Sequence, residues 1–425
     1  MFEKFPPANF IPTESTVEGI DIFMPRPEQT AQQPVVEFGC PQCGGQTAYS
    51  AADGGLTCTN CGYYEPPQQV VVGKGATEFE FTVTTMERAA RGWGTERKQL
   101  QCQSCGAYTA VPPDTITHSC PFCQSNRVIQ HQALQDVLRP RFVIPFKLEE
   151  QDCRTIAQTW MGNSWMVPKG LRQAIVTRPF SGVYLPFWTF DSTLNARWRA
   201  EVGHQETEQT YSNGEWTTTT KTVWKWESGQ ERETVDDMLI WGTTHVSSLL
   251  LGQVIDFQLS DLAPYEAQYL AGFQAQNYDI SLEQSWETAR QKMREQIKKA
   301  CRQAPSTSRV RNFSMELDFD DETWRYILLP VYLSSYRYRD KVYQVLINAQ
   351  TGTISGQRPA DWPKIWLVIA LAMSPAIIAA LIGLIQRFFY GYLRSGWLPC
   401  SFGLFLVGLI VAIILIVIAT GLDDA

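Results

Sequence analysis

Cys40-Pro41-Gln42-Cys43 with Cys58-Thr59-Asn60-Cys61, then Cys102-Gln103-Ser104-Cys105 with Cys120-Pro121-Phe122-Cys123, is one pattern written twice. Fourteen residues separate the two pairs in each copy, and the copies lie 62 residues apart. A Cys-x-x-Cys turn presents two sulfurs to one side, and two such turns complete a tetrahedron, so each copy reads as a four-thiolate metal site. Gly44, Gly62 and Gly106 follow three of the four second cysteines, where a missing Cβ lets backbone amides approach the sulfurs. Zinc is the expected ion, two per chain. A closed four-cysteine zinc leaves no position for water, so these sites are expected to build structure rather than catalyse. Iron fits the same tetrahedron and would make the chain an electron carrier.

Outward from these modules, 425 residues with 44% hydrophobic content suffice for two or three domains with a real core. A net charge of -7 argues against a protein that works by neutralising phosphates. The opening residues show no basic stretch followed by an apolar core, and cysteines at metal spacing fit a reducing compartment. The body is therefore expected in the cytoplasm.

The composition divides the chain into segments. Residues 1–36, with Pro6, Pro7, Pro12, Pro25, Pro27 and Pro34, read as a flexible leader. Residues 37–64 and 99–127 are the two zinc ribbons, joined over 65–98 by a linker with a short helix near Thr85 to Arg91. Residues 128–360 read as an antiparallel-sheet-rich α+β domain. Within it, Leu194, Ala196, Trp198, Ala200 and Val202 alternate with polar residues, the period of a half-buried strand. Trp216 to Trp226 alternates again after the turn signal Asn213-Gly214, so the two strands should form a hairpin with a long polar tip. Trp216, Trp224 and Trp226 read as core or partner surface. Ser281 with Gln284 makes a capping box ahead of Leu282, Trp286, Ala289, Met293, Ile297 and Ala300, which predicts an amphipathic helix from Ser281 to about Arg302. Tyr326 to Tyr338 and Val342 to Ile347 predict a second hairpin. Leu185-Pro186-Phe187-Trp188 and Leu329-Pro330-Val331-Tyr332 echo one another, with a fainter Ile144-Pro145-Phe146, as a duplicated unit would.

Residues 365–385 and 402–422 are uncharged runs long enough to cross a bilayer, with Pro375 inside the first. The intervening Phe388, Phe389, Tyr390, Tyr392 and Trp397 suit a membrane interface. A C-terminal two-helix transmembrane hairpin follows, in the cell inner membrane, with body and C-terminus cytoplasmic. Cys153, Cys301 and Cys400, the histidines His118, His131, His204 and His245, and Asp191 are given no chemical role. Gly73-Lys74-Gly75 lacks the spacing of a phosphate loop.

Cys40 to Gly44, Cys120 to Cys123, Val183 to Asp191, Leu328 to Tyr332 and Asn348 to Gly352 together resemble a family of bacterial tandem zinc-ribbon membrane proteins. Members are often labelled as similar to the primosomal replication helicase. The likeness runs from about Gly39 to Pro359 and implies zinc at the eight cysteines and a membrane location. The helicase core has no counterpart in this chain, so its activity does not carry over. The resulting expectation is a non-enzymatic membrane adaptor that presents cytoplasmic zinc ribbons to protein partners, with the homo-oligomeric state left open. The alternatives are a zinc-ribbon nucleic-acid-binding protein, disfavoured by charge, and a thiolate-iron redox protein.

Overall fold

A computed structural model describes residues 10–13, 22–25, 39–66, 72, 79–80, 93, 97–111, 120–123, 125–132, 137–168, 170–171, 179–212, 215–339, 341–390 and 397–424. The proposed helix near Thr85, the turn Asn213-Gly214 and His118 lie outside them. Within the Pro-rich leader, β1 (Phe10–Thr13) and β2 (Ile22–Pro25) pair antiparallel. β3 (Thr47–Ser50), β4 (Gly55–Cys58) and β5 (Tyr64–Glu65) make a small sheet of their own around the first cysteine module. β6 (Phe79–Glu80), β7 (Lys98–Cys102), β8 (Tyr108–Val111), β9 (Val128–Gln132) and β10 (Phe142–Val143) then enter a twelve-stranded sheet. Helix α1 (Glu150–Gly162) leads to two long strands, β11 (Ser181–Ser212) and β12 (Glu215–Trp241). α2 (Ser248–Gln253), β13 (Ala263–Pro264), β14 (Gln274–Gln276) and α3 (Leu282–Gln303) follow. β15 (Val310–Tyr338), β16 (Lys341–Asn348) and β17 (Ile354–Gly356) complete the sheet, ahead of α4 (Trp362–Tyr390) and α5 (Trp397–Asp424).

β11 and β15 form the spine, antiparallel from Ser181 opposite Leu333 to Val202 opposite Val310. The two echoing motifs cross here, Leu185 directly opposite Leu329. The alternation read from the sequence places Leu194, Ala196, Trp198, Ala200 and Val202 in the core. α3 covers that face, its N-terminus closed by the Ser281–Gln284 capping box and Trp286, Met293 and Ile297 buried. β15 is much longer than Tyr326–Tyr338. Its first half carries Phe313, Met315, Leu317 and Phe319 at alternate positions, partly buried against the same core.

Beyond Gly203 opposite Trp224 the β11–β12 hairpin runs on without β15, to Ser212 opposite Glu215. This arm of about 30 Å is braced by Glu206–Lys225 and Glu208–Lys221 ion pairs, both 2.9 Å. The tryptophan stripe lies on the surface. Arg311 stacks 4.1 Å over Trp224 and Arg199 4.4 Å over Trp226. Tyr211 and Trp216 form an exposed ring pair at the tip, 5.1 Å apart.

Among the described residues, two helices are long and apolar enough to cross a membrane, with spans Trp362–Ile385 and Ser401–Gly421. They pack on each other through small residues, Ala376, Ala379, Ala412 and Ala419 being buried. A Cβ on Gly408 would come within 2.7 Å of Met373 Sδ. α4 leaves the body beside the β15–β16 turn, where Gln357 N–H donates to Gln344 and its carbonyl accepts from the Tyr336 hydroxyl. The arm tip is at the far end of β11 from this exit.

At the bulge in β11, Asp191 faces a buried guanidinium. Arg325 is 1% exposed, pairs with Asp237, lies 3.8 Å from Asp191 Oδ2 and donates from Nε to Thr189 Oγ1 at 3.1 Å. Asp237 is held at φ 58° with its N–H donating to the Asp191 carboxylate. Removing the cation strands two carboxylates in low dielectric. Arg325→Met is therefore expected to lower folding stability by about 3–5 kcal/mol, measured by denaturant unfolding of detergent-solubilised protein. A change below about 1 kcal/mol would mean that the pair is solvated.

Candidate metal centres

Three of the four knuckles are built by the same pair of local bonds. In the first module Cys40 N–H donates to the Gly45 carbonyl at 2.7 Å and Gly44 N–H returns to Cys40 at 2.8 Å. The knuckle at Cys58 repeats this with Tyr63 and Gly62, and that at Cys102 with Ala107 and Gly106. Such a return requires positive φ, and Gly44, Gly62 and Gly106 sit at 69°, 73° and 78°. At the fourth knuckle Cys120 N–H donates to Ser125. The first cysteine of every pair is buried and the second is more open.

The sulfurs group within modules: Cys40, Cys43, Cys58 and Cys61 in one set, Cys102, Cys105, Cys120 and Cys123 in the other, each within 4.8 Å. Cys40–Cys61 and Cys43–Cys58 are 3.5 and 3.6 Å apart, and Cys102–Cys123 and Cys105–Cys120 are both 3.5 Å. A tetrahedron with metal–sulfur bonds of about 2.3 Å has sulfur–sulfur edges of about 3.8 Å. Both groups therefore match a four-thiolate ion in donor chemistry and size, and the chain could hold two metal ions.

The protons on these thiols are unevenly held. The Gly45 N–H, then contacts with Cys61, Asn60 and Cys58, draw Cys43 down to about 6. Burial opposes ionisation of Cys102, yet N–H groups of Cys105 and Ser104 bring it to about 7. Burial pushes Cys123 up to about 11 and Cys120 higher still. Cys43 and Cys102 thus ionise readily, whereas an incoming cation must displace protons from Cys120 and Cys123.

The two centres differ in what they hold together. In the second, β7, β8 and β9 are hydrogen-bonded into the large sheet through β14, with Ala275 opposite Ala110. Cys102, Ala107, Cys120 and Phe122 pack with Val183, Leu185, Ile327 and Leu346. The Phe122 carbonyl accepts from Ser335 Oγ at 2.9 Å and Gln344 Nε2 at 2.8 Å. The first centre keeps its own sheet and rests on the body through Tyr49, whose N–H donates to Ala271 at 3.1 Å and whose ring lies 5.4 Å from Tyr269.

Asp191, Asp236 and Asp237 also bring carboxylate oxygens within 4.8 Å of one another, but Arg325 already supplies their cation. The sequence hides this group because its members are brought together only by strand pairing. His204 pairs with Glu227 on the arm, and His245 lies 3.4 Å from Asp279 with its ring 6.0 Å from Phe122. Cys153 and Cys301 are buried in the main core.

No protein-family model matches the chain. A protein of Bacillus subtilis (strain 168) named "Uncharacterized protein YdjG" is 24% identical over 335 residues, covering 78% of this chain and 92% of that protein. No solved structure matches.

Because the second centre is continuous with the sheet, Cys102→Ser is expected to lower the thermal midpoint of the body well below that of Cys40→Ser, measured by scanning calorimetry on metal-loaded protein. Equal losses would contradict the asymmetry. Acid restores protons to the thiolates, so metal affinity should fall as pH drops from 8 to 6 and each ion bound should release protons. Chelator competition and proton release on metal addition in weakly buffered solution check this, and a pH-independent affinity would exclude thiolate ligation.

Proposed function

We propose that this chain is a zinc-binding adaptor of the cell inner membrane, without an enzymatic role, whose cytoplasmic body presents surfaces to protein partners. The observation that carries the reading is the second four-cysteine group. Its four sulfurs close on one another, two of its cysteines are buried, and its strands continue into the sheet that leads to the membrane helices. A metal enclosed in this way stiffens a platform and offers no open coordination position. Zinc suits that role, being redox-inert and indifferent to small departures from ideal geometry. The arm supports the same reading, since exposed Tyr211 and Trp216 at its tip are the residue types that anchor protein interfaces.

The test is crosslinking in cells followed by capture of the full-length protein. Wild type is compared with a Cys102→Ser, Cys105→Ser variant and with a Tyr211→Ser, Trp216→Ser variant that leaves the core untouched. Both variants must first be located in the membrane fraction. Specific partners lost with either variant are expected, and an identical set from all three would overturn the adaptor. Metal analysis of the same preparations separates zinc from iron, which would colour the protein and favour the redox alternative.

A further inference from the structure

We propose that the turn Ser164–Val167, after α1, is a membrane-contacting loop that seats the body on the lipid headgroup layer, with Trp165 at the hydrocarbon boundary. The proposal rests on the reading of α4 and α5 as membrane spans and assigns a lipid contact outside them.

The loop is clamped to the point where α4 enters its apolar run. The Met166 carbonyl accepts from the Asp361 N–H at 2.6 Å. The Met166 side chain is 5% exposed and clusters with Ala360, Ile365 and Ile369, and with Ala412 and Ala419 of α5. Ile365 and Ile369 lie inside the apolar span Trp362–Ile385. At about 1.5 Å of rise per residue they sit roughly 5–10 Å along it. A side chain packed on them occupies the depth at which headgroups give way to hydrocarbon.

Trp165 precedes Met166 and is 51% exposed, whereas Trp188 and Trp324 in the body are at most 1% exposed. Trp362 and Trp366 stand nearby in sequence on the first turns of α4, their rings 6.4 Å apart, and Trp366 is 55% exposed. Tryptophans gathered where an apolar helix begins form an interfacial belt, because indole is large and apolar yet carries one N–H donor. Trp165 adds to that belt from a separate segment of chain.

The loop cannot swing away from this level. Val167 and Met161 on either side are buried in the main core. Arg358, in the stretch leading to α4, stacks 4.4 Å over Trp160 and donates to the Trp160 carbonyl at 3.2 Å. Tyr211 and Trp216 provide a contrast. They are 61% and 69% exposed but lie at the end of β11 far from α4.

The experiment reconstitutes full-length, metal-loaded protein into phosphatidylethanolamine–phosphatidylglycerol vesicles. A ketone-bearing phenylalanine replaces Trp165, Trp216 or Leu371 in turn and carries a spin label, which leaves the metal-binding cysteines untouched. Power saturation compares collisions with oxygen, which partitions into lipid, and with a water-soluble nickel chelate. Leu371, 68% exposed on α4, reports hydrocarbon and Trp216 reports water. The label at 165 is expected to favour oxygen clearly over the chelate, at a depth between the other two. A 165 label as accessible to chelate as 216, with 371 in lipid, overturns the loop contact and leaves the membrane spans standing. A 371 label in water overturns both.

Discussion

The antiparallel ladder between β11 and β15 is the constraint on which the rest of the molecule depends. Two strands of this length expose rows of backbone donors and acceptors along their outer edges, and unfilled edges would pair with other chains. Here short segments fill them in succession. On β11, β14 takes Val183–Tyr184 and β12 takes over from Phe187. On β15, β6 pairs at Thr323–Trp324, β10 at Ile327–Leu328 and β16 from Val331. Several of these segments are too short to persist alone and exist because the spine offers them a partner.

The cysteine modules act on this frame in different ways, although their sequence patterns match. Three-residue β14 is a thin bridge between β11 and the β7–β8–β9 strands. The second four-cysteine group ties the β7–β8 turn to the entry of β9. The Phe122 carbonyl, caught between Ser335 and Gln344, fixes that assembly to the β15–β16 hairpin. A metal held here would substitute for core that the small strands cannot supply. The first group closes a separate hairpin and meets the body through aromatic packing at Tyr49 and Tyr269, a contact that can part without unravelling the sheet.

What the sequence disclosed followed locality. The Ser281–Gln284 box and the spacing from Leu282 to Ala300 placed α3 because its signals are three or four residues apart. The cysteine spacing, the strand Leu194–Val202 and the apolar runs were legible for the same reason. The first half of β15 alternates too, but Glu316, Asp318, Asp320 and Asp321 mask Phe313 to Phe319. That stripe gains its cover from α3, where Arg302 stacks on Phe313 and Arg290 on Phe319. The union of the second ribbon with the sheet carries no side-chain pattern, since it is decided by the register of Ala275 against Ala110. The Asp191–Arg325–Asp237 group was hidden likewise, being assembled from three different strands.

The passage from body to apolar helices bears on how the arm would work on the adaptor reading. Between β17 and α4 the chain is tied at successive points, Gln357 to Gln344, Arg358 to Trp160 and Asp361 to Met166. The apolar helices are therefore continuous with the sheet, without a slack linker. The spine carries that continuity along β11 for on the order of 100 Å of strand contour, to the aromatic pair at the tip of the arm. A flexible tether would let such a surface sample all heights above the bilayer, diluting it at each. A rigid path holds it at one height and raises its effective concentration for partners that stand there. On the adaptor reading, the stiffness that a metal in the second centre would supply matters to function through geometry alone, with no chemistry required at the metal.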